Sequence, residues 1–296
     1  MAVVLTFLLG LLVLMMTGFL PVFLFLALFG AGGLVAAVGW ADDRKDIPAR
    51  FRLTGHFAAA AWALFWLGGL SPLPVFGAAI NLGVAGHVLA AVYLVWLLNL
   101  YNFMDGINGI AGIEAITVCA GGAVLYWLCP GCENGAWMAG LLLAAAAAGF
   151  LVWNFPTAKI FMGDAGSGFL GMVLGVLSVY AGWIQPELFW GWVILLGAFI
   201  VDATVTLVRR GLRGEKVYEA HRSHAYQHAA RRYGSHTPVS IVYGAINLFW
   251  LLPVAALVIA GFLDGALGVV VAYGPLVVGA VWFGAGKPEK GARPKA

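Results

Sequence analysis

The sequence predicts an all-α integral membrane protein, a polytopic helical bundle of about ten transmembrane helices. Of its 296 residues, 62% are hydrophobic and 10% are charged, whereas soluble domains carry roughly 25% charged residues. The mean hydropathy is +0.95. The apolar residues form long uninterrupted runs, not the alternating segments of about ten residues that build a membrane β-barrel. Residues 1–296 therefore form a single membrane domain, for which no nucleic-acid partner is expected.

The spans follow from apolar runs of roughly 17 residues or more, taken in chain order. Short turns or more polar loops separate them, and no internal repeat is visible. The predicted spans are residues 3–18, 21–41, 53–70, 86–101, 109–128, 136–153, 168–183, 188–207, 239–262 and 266–284.

The distribution of lysine and arginine predicts the orientation. All 16 of these residues lie in the loop after the second span, the loop after the sixth, the polar segment 209–238 or the C-terminal tail. Threading ten spans places all four regions on one side of the membrane, and cytoplasmic loops carry the excess of positive charge. The polar clusters therefore face the cytosol.

The first cluster, Asp42, Asp43 and Asp46, lies at the cytoplasmic end of the second span. Two adjacent carboxylates can bind a metal or hold a proton, because like charges raise one of the two pKa values. The alternative is a solvated charge run beside Arg44 and Lys45, and for Asp46 the two interpretations are balanced.

The second cluster consists of polar residues at a spacing of three: Asn99, Asn102, Asp105 and Asn108. On a continuous helix they would share one face, but Gly106 and Gly109 favour a break. Amides and a carboxylate at a membrane edge can bind a sugar, a base or the outer shell of a metal. Capping of two helix ends is the alternative, and it explains about two of the four residues.

The third cluster is centred on Asp164, between the sixth and seventh spans. Small residues follow it, including Ser167 and Gly168, so backbone amides and a hydroxyl can approach a ligand closely. A carboxylate at the hydrocarbon boundary is costly unless it is paired or bound to metal. We therefore expect Asp164 to hold a divalent metal.

The fourth cluster is the segment HRSHAYQH, residues 221–228. Spacings of three and four predict that His221, His224 and His228 share one side of a helix. Zinc is disfavoured because the HExxH pattern is absent and the neighbouring arginines oppose a cation. Arginine, histidine and serine together suit phosphate or pyrophosphate; the alternative is a basic helix on anionic lipid headgroups.

Other polar residues leave alternatives open. Glu114 and Asp202 lie inside apolar runs, where buried pairing and catalysis are both reasonable. Cys129 and Cys132 either form a local disulfide, if their loop faces an oxidising compartment, or are a neutral pair. An ion-coupled transporter is disfavoured because the carboxylates crowd the cytoplasmic ends and no repeat exists. An intramembrane aspartyl protease is disfavoured because Phe161 replaces the first glycine of its GxGD motif.

Four motifs, in order, carry a family resemblance: ADDRKD, NLYNFMDGINGIAG, NFPTAKIFMGDAGSGFLG and HRSHAYQH. The chain resembles the polyprenyl-phosphate N-acetylhexosamine-1-phosphate transferases (glycosyltransferase family 4), most of all the subgroup that starts O-antigen or related glycans. This implies transfer of a sugar-1-phosphate from a UDP-activated acetamidosugar to undecaprenyl phosphate, giving undecaprenyl-diphospho-sugar and UMP. It also implies Mg²⁺, the bacterial inner membrane with a cytoplasmic active site, a role in lipopolysaccharide or cell-wall synthesis, and a possible homodimer.

The resemblance also implies residue roles. Asp42 is the candidate base toward the lipid phosphate, and Asp43 positions metal or phosphate. Asp164 is the Mg²⁺ ligand, and Asn102 and Asp105 bind nucleotide and order the metal shell. The implied substrate-binding set is Asn99, Asn102, Asn108, Asn154, His221, Arg222 and His224.

The chain departs from the family pattern in two places. Asn108 stands where many members have a second aspartate, so no essential carboxylate is expected there. The chain also begins directly in a span, so we expect the family's preceding helix and first cytoplasmic loop to be missing from residues 1–296.

Overall fold

A computed structural model of the chain describes residues 1–45, 47–132, 135–216 and 221–288, so Asp46 lies outside it. The described residues are mostly helical, which confirms the all-α prediction. The helices are α1 (Ala2–Met16), α2 (Val22–Lys45), α3 (Ala49–Leu67), α4 (Gly83–Met104), α5 (Ile110–Leu128), α6 (Ala136–Asn154), α7 (Gly163–Ile184), α8 (Pro186–Leu195), α9 (Gly197–Gly211), α10 (Ala225–Tyr233), α11 (Thr237–Ile246), α12 (Leu252–Ile259) and α13 (Gly265–Phe283).

Seven helical segments among the described residues are long and apolar enough to cross a membrane, with α11 to α12 taken as one. The number becomes eight if the bent pair α8 and α9 forms one span. The other two predicted spans correspond to α1, which has 15 residues, and α3, whose first turns carry Arg50 and Arg52. A multi-pass membrane protein follows, while the count of ten stays a prediction.

Helix α7 is the centre of the bundle, because every residue from Ala165 to Gly182 is buried. Glycines let the neighbouring backbones come close to it. A Cβ atom added to Gly39 of α2 would lie 2.6 Å from the Cα of Ala165, and one on Gly171 would lie 2.6 Å from the carbonyl oxygen of Leu97 in α4. The ends of α2, α4 and α7 that carry the three acidic clusters are thereby brought together.

Among the described residues, the hydrogen bonds between loops join loops that the threading places on the same side. On the side predicted to be external, the Phe76 amide donates to Asp264 Oδ2 at 2.7 Å. On the other side, Asn108 Nδ2 donates to the Pro156 carbonyl at 3.1 Å, and the Asn108 amide donates to His236 Nδ1 at 3.4 Å. The packing therefore agrees with the alternation of sides that the sequence predicts.

A small β-hairpin in the loop after α3 was not predicted. Strand β1 (Leu73–Val75) pairs antiparallel with β2 (Ala78–Ile80), with Leu73 opposite Ile80. The turn residues Phe76 and Gly77 both have positive φ, 48° and 79°, as tight hairpin turns of type I′ require. Three-residue strands are too short to show a periodic pattern in the sequence.

The eighth predicted span is broken, because α8 and α9 meet at Leu196 with a bend of 64°. A break leaves the first amides of α9 without partners in their own helix. The carboxylate of Glu114 in α5, which is fully buried, faces the backbone of Phe199 in the first turn of α9. A buried carboxylate therefore lies beside the start of the second half of the broken helix.

Asn247 joins the same buried group from a π-helical turn, Asn247–Leu251, that interrupts the span predicted at 239–262. Its Nδ2 donates to Glu114 Oε2 and to Thr117 Oγ1, both at 2.8 Å. Of the two interpretations of Glu114, the structure supports buried pairing. In the loop between α5 and α6 the sulfurs of Cys129 and Cys132 are bonded to each other.

Candidate active site

Three side chains from three helices meet at the end of the bundle that the sequence predicts to be cytoplasmic. Asp42, near the end of α2, accepts a hydrogen bond from the Ile47 amide at 2.7 Å through Oδ1. Its Oδ2 forms an ion pair with the guanidinium of Arg52 on α3. The same guanidinium nitrogen lies 3.6 Å from Asp164 Oδ2. Arg52 therefore links the first and third acidic clusters.

Asp43 contacts the start of α7, whereas Asp42 pairs with Arg52. Its carboxylate accepts hydrogen bonds from the backbone amides of Asp164, at 3.1 Å, and Ala165, at 3.5 Å. The residue that precedes α7, Met162, offers no side-chain cap. Asp43 thus caps α7 from another helix, as a negative charge at a helix N-terminus should, and it fixes the position of Asp164.

The predicted break in the second cluster is confirmed, because α4 ends at Met104 and Asp105 is its C-terminal cap residue. Asn99 and Asn102 remain on the helix, and the Asn102 side chain hydrogen-bonds to the Asp164 carboxylate. Burial, with a smaller contribution from the charge of Asp164, raises the pKa of Asp105 to about 7. Asp105 can therefore gain or lose a proton near neutral pH.

A cavity of about 170 Å³ opens between α2, α3, α4 and α7. Most of its charged and polar residues lie where α2 and α4 end and α7 begins, whereas the residues one or two turns earlier on α2 and α4 are apolar. The polar lining residues are Asp42, Arg52, His56, Asn99, Asn102 and Asp164, and the apolar ones include Val35, Val38, Leu53 and Leu98. Such a cavity suits an amphiphile with a charged head and a hydrocarbon chain.

The donor chemistry of this cavity fits Mg²⁺. The Asp164 carboxylate is 35% exposed, and the Asn102 and Asp42 side chains offer further oxygens, the ligand type that Mg²⁺ prefers. Among the described residues, no three His, Cys, Asp or Glu side chains form a metal-binding group. Mg²⁺ is commonly held by one or two carboxylates together with substrate phosphates and water, which is what this site could provide.

The histidine segment does not form one helix face, so that prediction was wrong. Helix α10 begins only at Ala225, and therefore His221 and His224 precede it while His228 lies within it. His224 is the N-terminal cap residue, and its backbone amide donates to Gln227 Oε1 at 3.2 Å. The periodic spacing of the histidines coincides with a helix start that periodicity alone does not reveal.

The start of α10 is fixed by Asp202 of α9, which is buried. Its carboxylate accepts hydrogen bonds from the amides of Ala225, at 2.8 Å, and Tyr226, at 2.9 Å. It also accepts one from the hydroxyl of Tyr243 at 2.6 Å, and its Oδ1 lies 3.6 Å from His224 Nδ1. For Asp202, too, the structure supports buried pairing.

The ring of Phe103 separates His221 and His224 from the cavity that contains Asp42 and Asp164, which we call the acidic cavity. Their rings stack with centroids 4.8 Å apart, and the Phe103 ring lies 6.2 Å from His221 and 6.3 Å from His224. Phe103 also lines the cavity, and its carbonyl accepts a hydrogen bond from Tyr226 at 2.9 Å. Within the part of the chain that is described, no hydrogen-bond partner reaches Nε2 of either histidine. Arg222, between them, is exposed.

Asn108 and Asn154 do not line the cavity, and each holds neighbouring segments together through hydrogen bonds. The Asn108 side chain donates to the Pro156 carbonyl, and the backbone carbonyl of Asn108 accepts from Ser240 Oγ at 2.7 Å. The buried Asn154 accepts from the Gly109 amide at 2.7 Å and donates to the Ile160 carbonyl at 2.8 Å. A direct substrate contact for either residue stays a prediction.

Two residues of the site were missed by sequence reasoning. In the sequence, Arg52 contributes only to the predicted orientation. It follows Asp42 by ten positions, and the proline-containing turn between α2 and α3 brings the two side chains together. Phe103 had no recognisable signal, because an aromatic residue in an apolar run is ordinary.

Comparison with known proteins supports the family resemblance. The profile of glycosyl transferase family 4 matches residues 25–182, which include the three acidic clusters. A decaprenyl-phosphate N-acetylglucosaminephosphotransferase of Mycolicibacterium smegmatis is 29% identical over 172 residues, 51% of this chain and 40% of that protein. A probable undecaprenyl-phosphate N-acetylglucosaminyl 1-phosphate transferase of Bacillus subtilis is 39% identical over 88 residues, 29% of this chain and 25% of that protein.

A decaprenyl-phosphate N-acetylglucosaminephosphotransferase of Mycobacterium tuberculosis is 28% identical over 251 residues, covering 73% of this chain and 59% of that protein. The chain thus spans between a quarter and three fifths of the length of these relatives. Because the family profile covers more than half of the chain and includes the carboxylates that converge in the fold, the chain belongs to glycosyl transferase family 4.

Proposed function

We propose that this protein transfers a sugar-1-phosphate from a UDP-activated acetamidosugar to undecaprenyl phosphate in a Mg²⁺-dependent reaction. An oxygen of the acceptor phosphate attacks the β-phosphorus of the UDP-sugar, the bond from that phosphorus to the UMP oxygen breaks, and UMP leaves. The observation that carries this proposal is the cavity of Asp42, Arg52 and Asp164, which is charged at its cytoplasmic end and apolar below.

The acceptor lipid fits the cavity in one orientation. A phosphate at its mouth would meet the Arg52 guanidinium, which forms strong charge-assisted hydrogen bonds with phosphate oxygens. The isoprenoid chain would follow Val35, Val38 and Leu98 toward the hydrocarbon. Asp42, now paired with Arg52, is the carboxylate placed to accept a proton from the phosphate that attacks.

The donor would be bound on the other side of Asp164. Asp164 and Asn102 would hold Mg²⁺, which neutralises charge on a diphosphate when it is bound. His221 and His224 would donate hydrogen bonds to the diphosphate, assisted by Arg222. Their Nε2 atoms are buried and have no partner among the described residues, so binding of the donor would have to uncover them. Phosphoryl transfer needs positioning and charge neutralisation more than covalent help, and these residues supply both.

Finer features of the function are part of the proposal. Three similar proteins are named for N-acetylglucosamine or its phosphate, so UDP-N-acetylglucosamine is the first donor to test. We place the reaction at the cytoplasmic face of the bacterial inner membrane, as the first membrane step of an O-antigen-like or other envelope glycan. The possible homodimer can be tested by light scattering of the purified protein.

The decisive experiment is transfer of radiolabelled sugar-1-phosphate into extractable lipid. Membranes containing this protein would be incubated with UDP-acetamidosugars and undecaprenyl phosphate, with Mg²⁺ or with EDTA. We expect Mg²⁺-dependent labelling that Asp164→Asn reduces at least 100-fold. Asp264→Asn, which removes a carboxylate from the external side, is the matched control and should retain labelling. Absence of labelling by folded wild-type protein with every donor would contradict the proposal.

A further inference from the structure

A second, larger cavity lies behind the histidine segment, away from the acidic cavity. It has a volume of about 580 Å³ and is formed by α9, α10, α11 and α13. None of these helices contributes to the acidic cavity, which is formed by α2, α3, α4 and α7. The two cavities are therefore separate compartments, and we name the second one the rear groove.

The rear groove is apolar and opens sideways toward the bilayer. Its walls include Val201, Val239 and Leu276, together with Val242, of which 54% is exposed. On the α13 side, Gly279 lines the groove without a side chain, and a Cβ atom added there would meet nothing within 4 Å. The groove thus has free width between α11 and α13 for a hydrocarbon chain.

The polar groups in the groove wall already have partners. Asp202 accepts hydrogen bonds from the Tyr243 hydroxyl and from the amides of Ala225 and Tyr226. With the Thr206 hydroxyl as a fourth donor at 3.3 Å, the carboxylate oxygens are satisfied without a ligand. The empty space in the groove is therefore bordered mainly by apolar side chains.

The rim of the groove is basic. Tyr233 and Phe283, which line the groove, contact each other with ring centroids 6.4 Å apart. Their chain neighbours form a cation–π pair, in which the Arg232 guanidinium lies 5.1 Å from the centre of the Trp282 ring. Residues 221–288 contain four lysines or arginines, and their one carboxylate, Asp264, caps the far end of α13. In sequence, the tail that follows adds three more basic residues and a single glutamate.

We propose that the rear groove binds an anionic phospholipid, with one acyl chain between α11 and α13 and the headgroup phosphate at Arg232. A cluster of basic residues directly cytoplasmic of a membrane helix is the arrangement that attracts anionic lipid, and an apolar groove beside it determines where the chain lies. The charge of the rim favours this occupant over a zwitterionic lipid. This proposal does not depend on the transferase activity.

The lipid would lie next to contacts that hold the histidine segment. The Gly286 amide, just after α13, donates to the Ser223 carbonyl at 2.7 Å. Arg209 of α9 donates to the Ala285 carbonyl, also at 2.7 Å. A chain that fills the groove therefore supports the packing of α13 against the segment that carries His221 and His224, and binding should stabilise the fold.

The test is native mass spectrometry of the purified full chain in detergent, with phosphatidylglycerol or phosphatidylcholine of identical acyl chains. Gly279→Leu fills the groove. Gly274→Leu is the matched control, because it adds the same side chain to the same helix at another position with open space. We expect Gly279→Leu to reduce retention of phosphatidylglycerol at least fivefold and Gly274→Leu to leave it unchanged.

A second pair of variants tests the headgroup. Arg232→Gln should remove the preference for phosphatidylglycerol over phosphatidylcholine. Arg44→Gln, which removes an arginine that also lies over a tryptophan, Trp40, should preserve it. Phosphatidylglycerol should raise the melting temperature of wild type and of Gly274→Leu, but not of Gly279→Leu.

Three outcomes would overturn the proposal. One is equal retention of the two lipids by the wild type. Another is equal retention of phosphatidylglycerol by the wild type and Gly279→Leu. The third is that undecaprenyl phosphate displaces phosphatidylglycerol from the wild type, and that Gly279→Leu abolishes both the retention of undecaprenyl phosphate and the rise in melting temperature that it causes. This result would assign the groove to the acceptor lipid.

Discussion

Arg52 shows how a single residue can organise two carboxylates that lie 122 positions apart in the sequence. Its guanidinium pairs with Asp42 and approaches Asp164, so it stands where like charges would otherwise repel each other across the mouth of the cavity. An arginine is suited to this position because its planar fork can contact two acceptors and stays charged. In the proposed function the same group receives the acceptor phosphate.

Asp105 leads to a prediction about pH. Burial raises its pKa from 3.8 to about 7, so between these values the folded protein holds a proton that the unfolded chain has released. The stability of the wild type should therefore fall as pH rises from about 4 to about 7. Asp105→Asn removes this loss, because the amide does not titrate.

The measurement is the melting temperature of both proteins in detergent with EDTA, from pH 5 to pH 8.5. We expect the advantage of Asp105→Asn over the wild type to grow up to about pH 7 and then to stay constant. A difference that is the same at every pH would contradict the raised pKa of Asp105.

The sequence predicted much of the site at the scale of residues, but not the division of tasks. Adjacent carboxylates at a helix end identified Asp42 and Asp43 as a pair. Only the fold shows that Asp42 lines the cavity while Asp43 caps α7. A sequence motif indicates which residues come together, whereas the direction of each side chain depends on how the helices cross.

At the scale of elements, the close approach of α2 to α7 depends on Gly39. A Cβ atom there would lie 2.6 Å from two backbone atoms of Ala165, which cannot yield as a flexible side chain can. Gly39→Ala should therefore separate the two helices and destabilise the fold by about 1–3 kcal/mol. It should also displace Asp42 and Asp43 from Asp164 and reduce sugar-phosphate transfer at least tenfold.

Gly33→Ala is the matched control on the same helix, because a Cβ atom there meets nothing within 4 Å. It should keep its activity and change stability by less than about 1 kcal/mol, since alanine is the better helix former. Thermal unfolding and transfer activity of both variants, with activity measured below their melting temperatures, check this prediction. Equal effects of the two substitutions would contradict the role of the α2–α7 contact.

The start of α10 yields a second prediction at this scale. Asp202→Ala removes the acceptor for the first amides of α10, so the helix start should fray and expose His224, of which only 1% is now accessible. We expect diethyl pyrocarbonate to modify His224 at least fivefold faster, as measured by peptide mass spectrometry. Asp202→Asn, which keeps one acceptor oxygen, should give an intermediate rate.

Asp264→Ala is the control for Asp202→Ala, because Asp264 caps α13 on the external side through the amides of Ala266 and Leu267. Loss of that cap should cost about 1 kcal/mol and leave His224 protected. If His224 reacted at the same rate in both variants, general destabilisation would explain the result and the capping role of Asp202 would be refuted.

The elements that the sequence predicted well are those determined by their own composition. Long apolar runs located most of the helices of the bundle. The bend at Leu196 could not be predicted, because the carboxylate that faces the start of the second half, Glu114, lies more than 80 positions earlier in the chain. The start of α10 could not be predicted for the same reason, because the carboxylate that accepts hydrogen bonds from its first amides, Asp202, belongs to another helix.

For the molecule as a whole, charge and packing lead to the same arrangement in the membrane. The positive-inside rule assigns the basic loops to the cytoplasm, and loops that are hydrogen-bonded to one another fall on common sides. Both cavities open near the basic side. A nucleotide-activated donor and an anionic lipid headgroup would then be reached from the same compartment.

This arrangement predicts which positions a membrane-impermeant thiol reagent can reach in intact bacterial spheroplasts. Single cysteines would be introduced at Pro130 and at Leu212, both exposed, after the native cysteines are replaced by Cys119→Ala, Cys129→Ser and Cys132→Ser. The cysteine at 130 should react from outside. The cysteine at 212, at the end of α9, should react only after the membrane is opened, because the predicted orientation places the basic segment around it inside. The same protein without introduced cysteines is the control for background labelling. Labelling of position 212 in intact spheroplasts would reverse the orientation and place the carboxylates away from cytosolic nucleotides, so it would also remove the physical basis for a UDP-sugar donor.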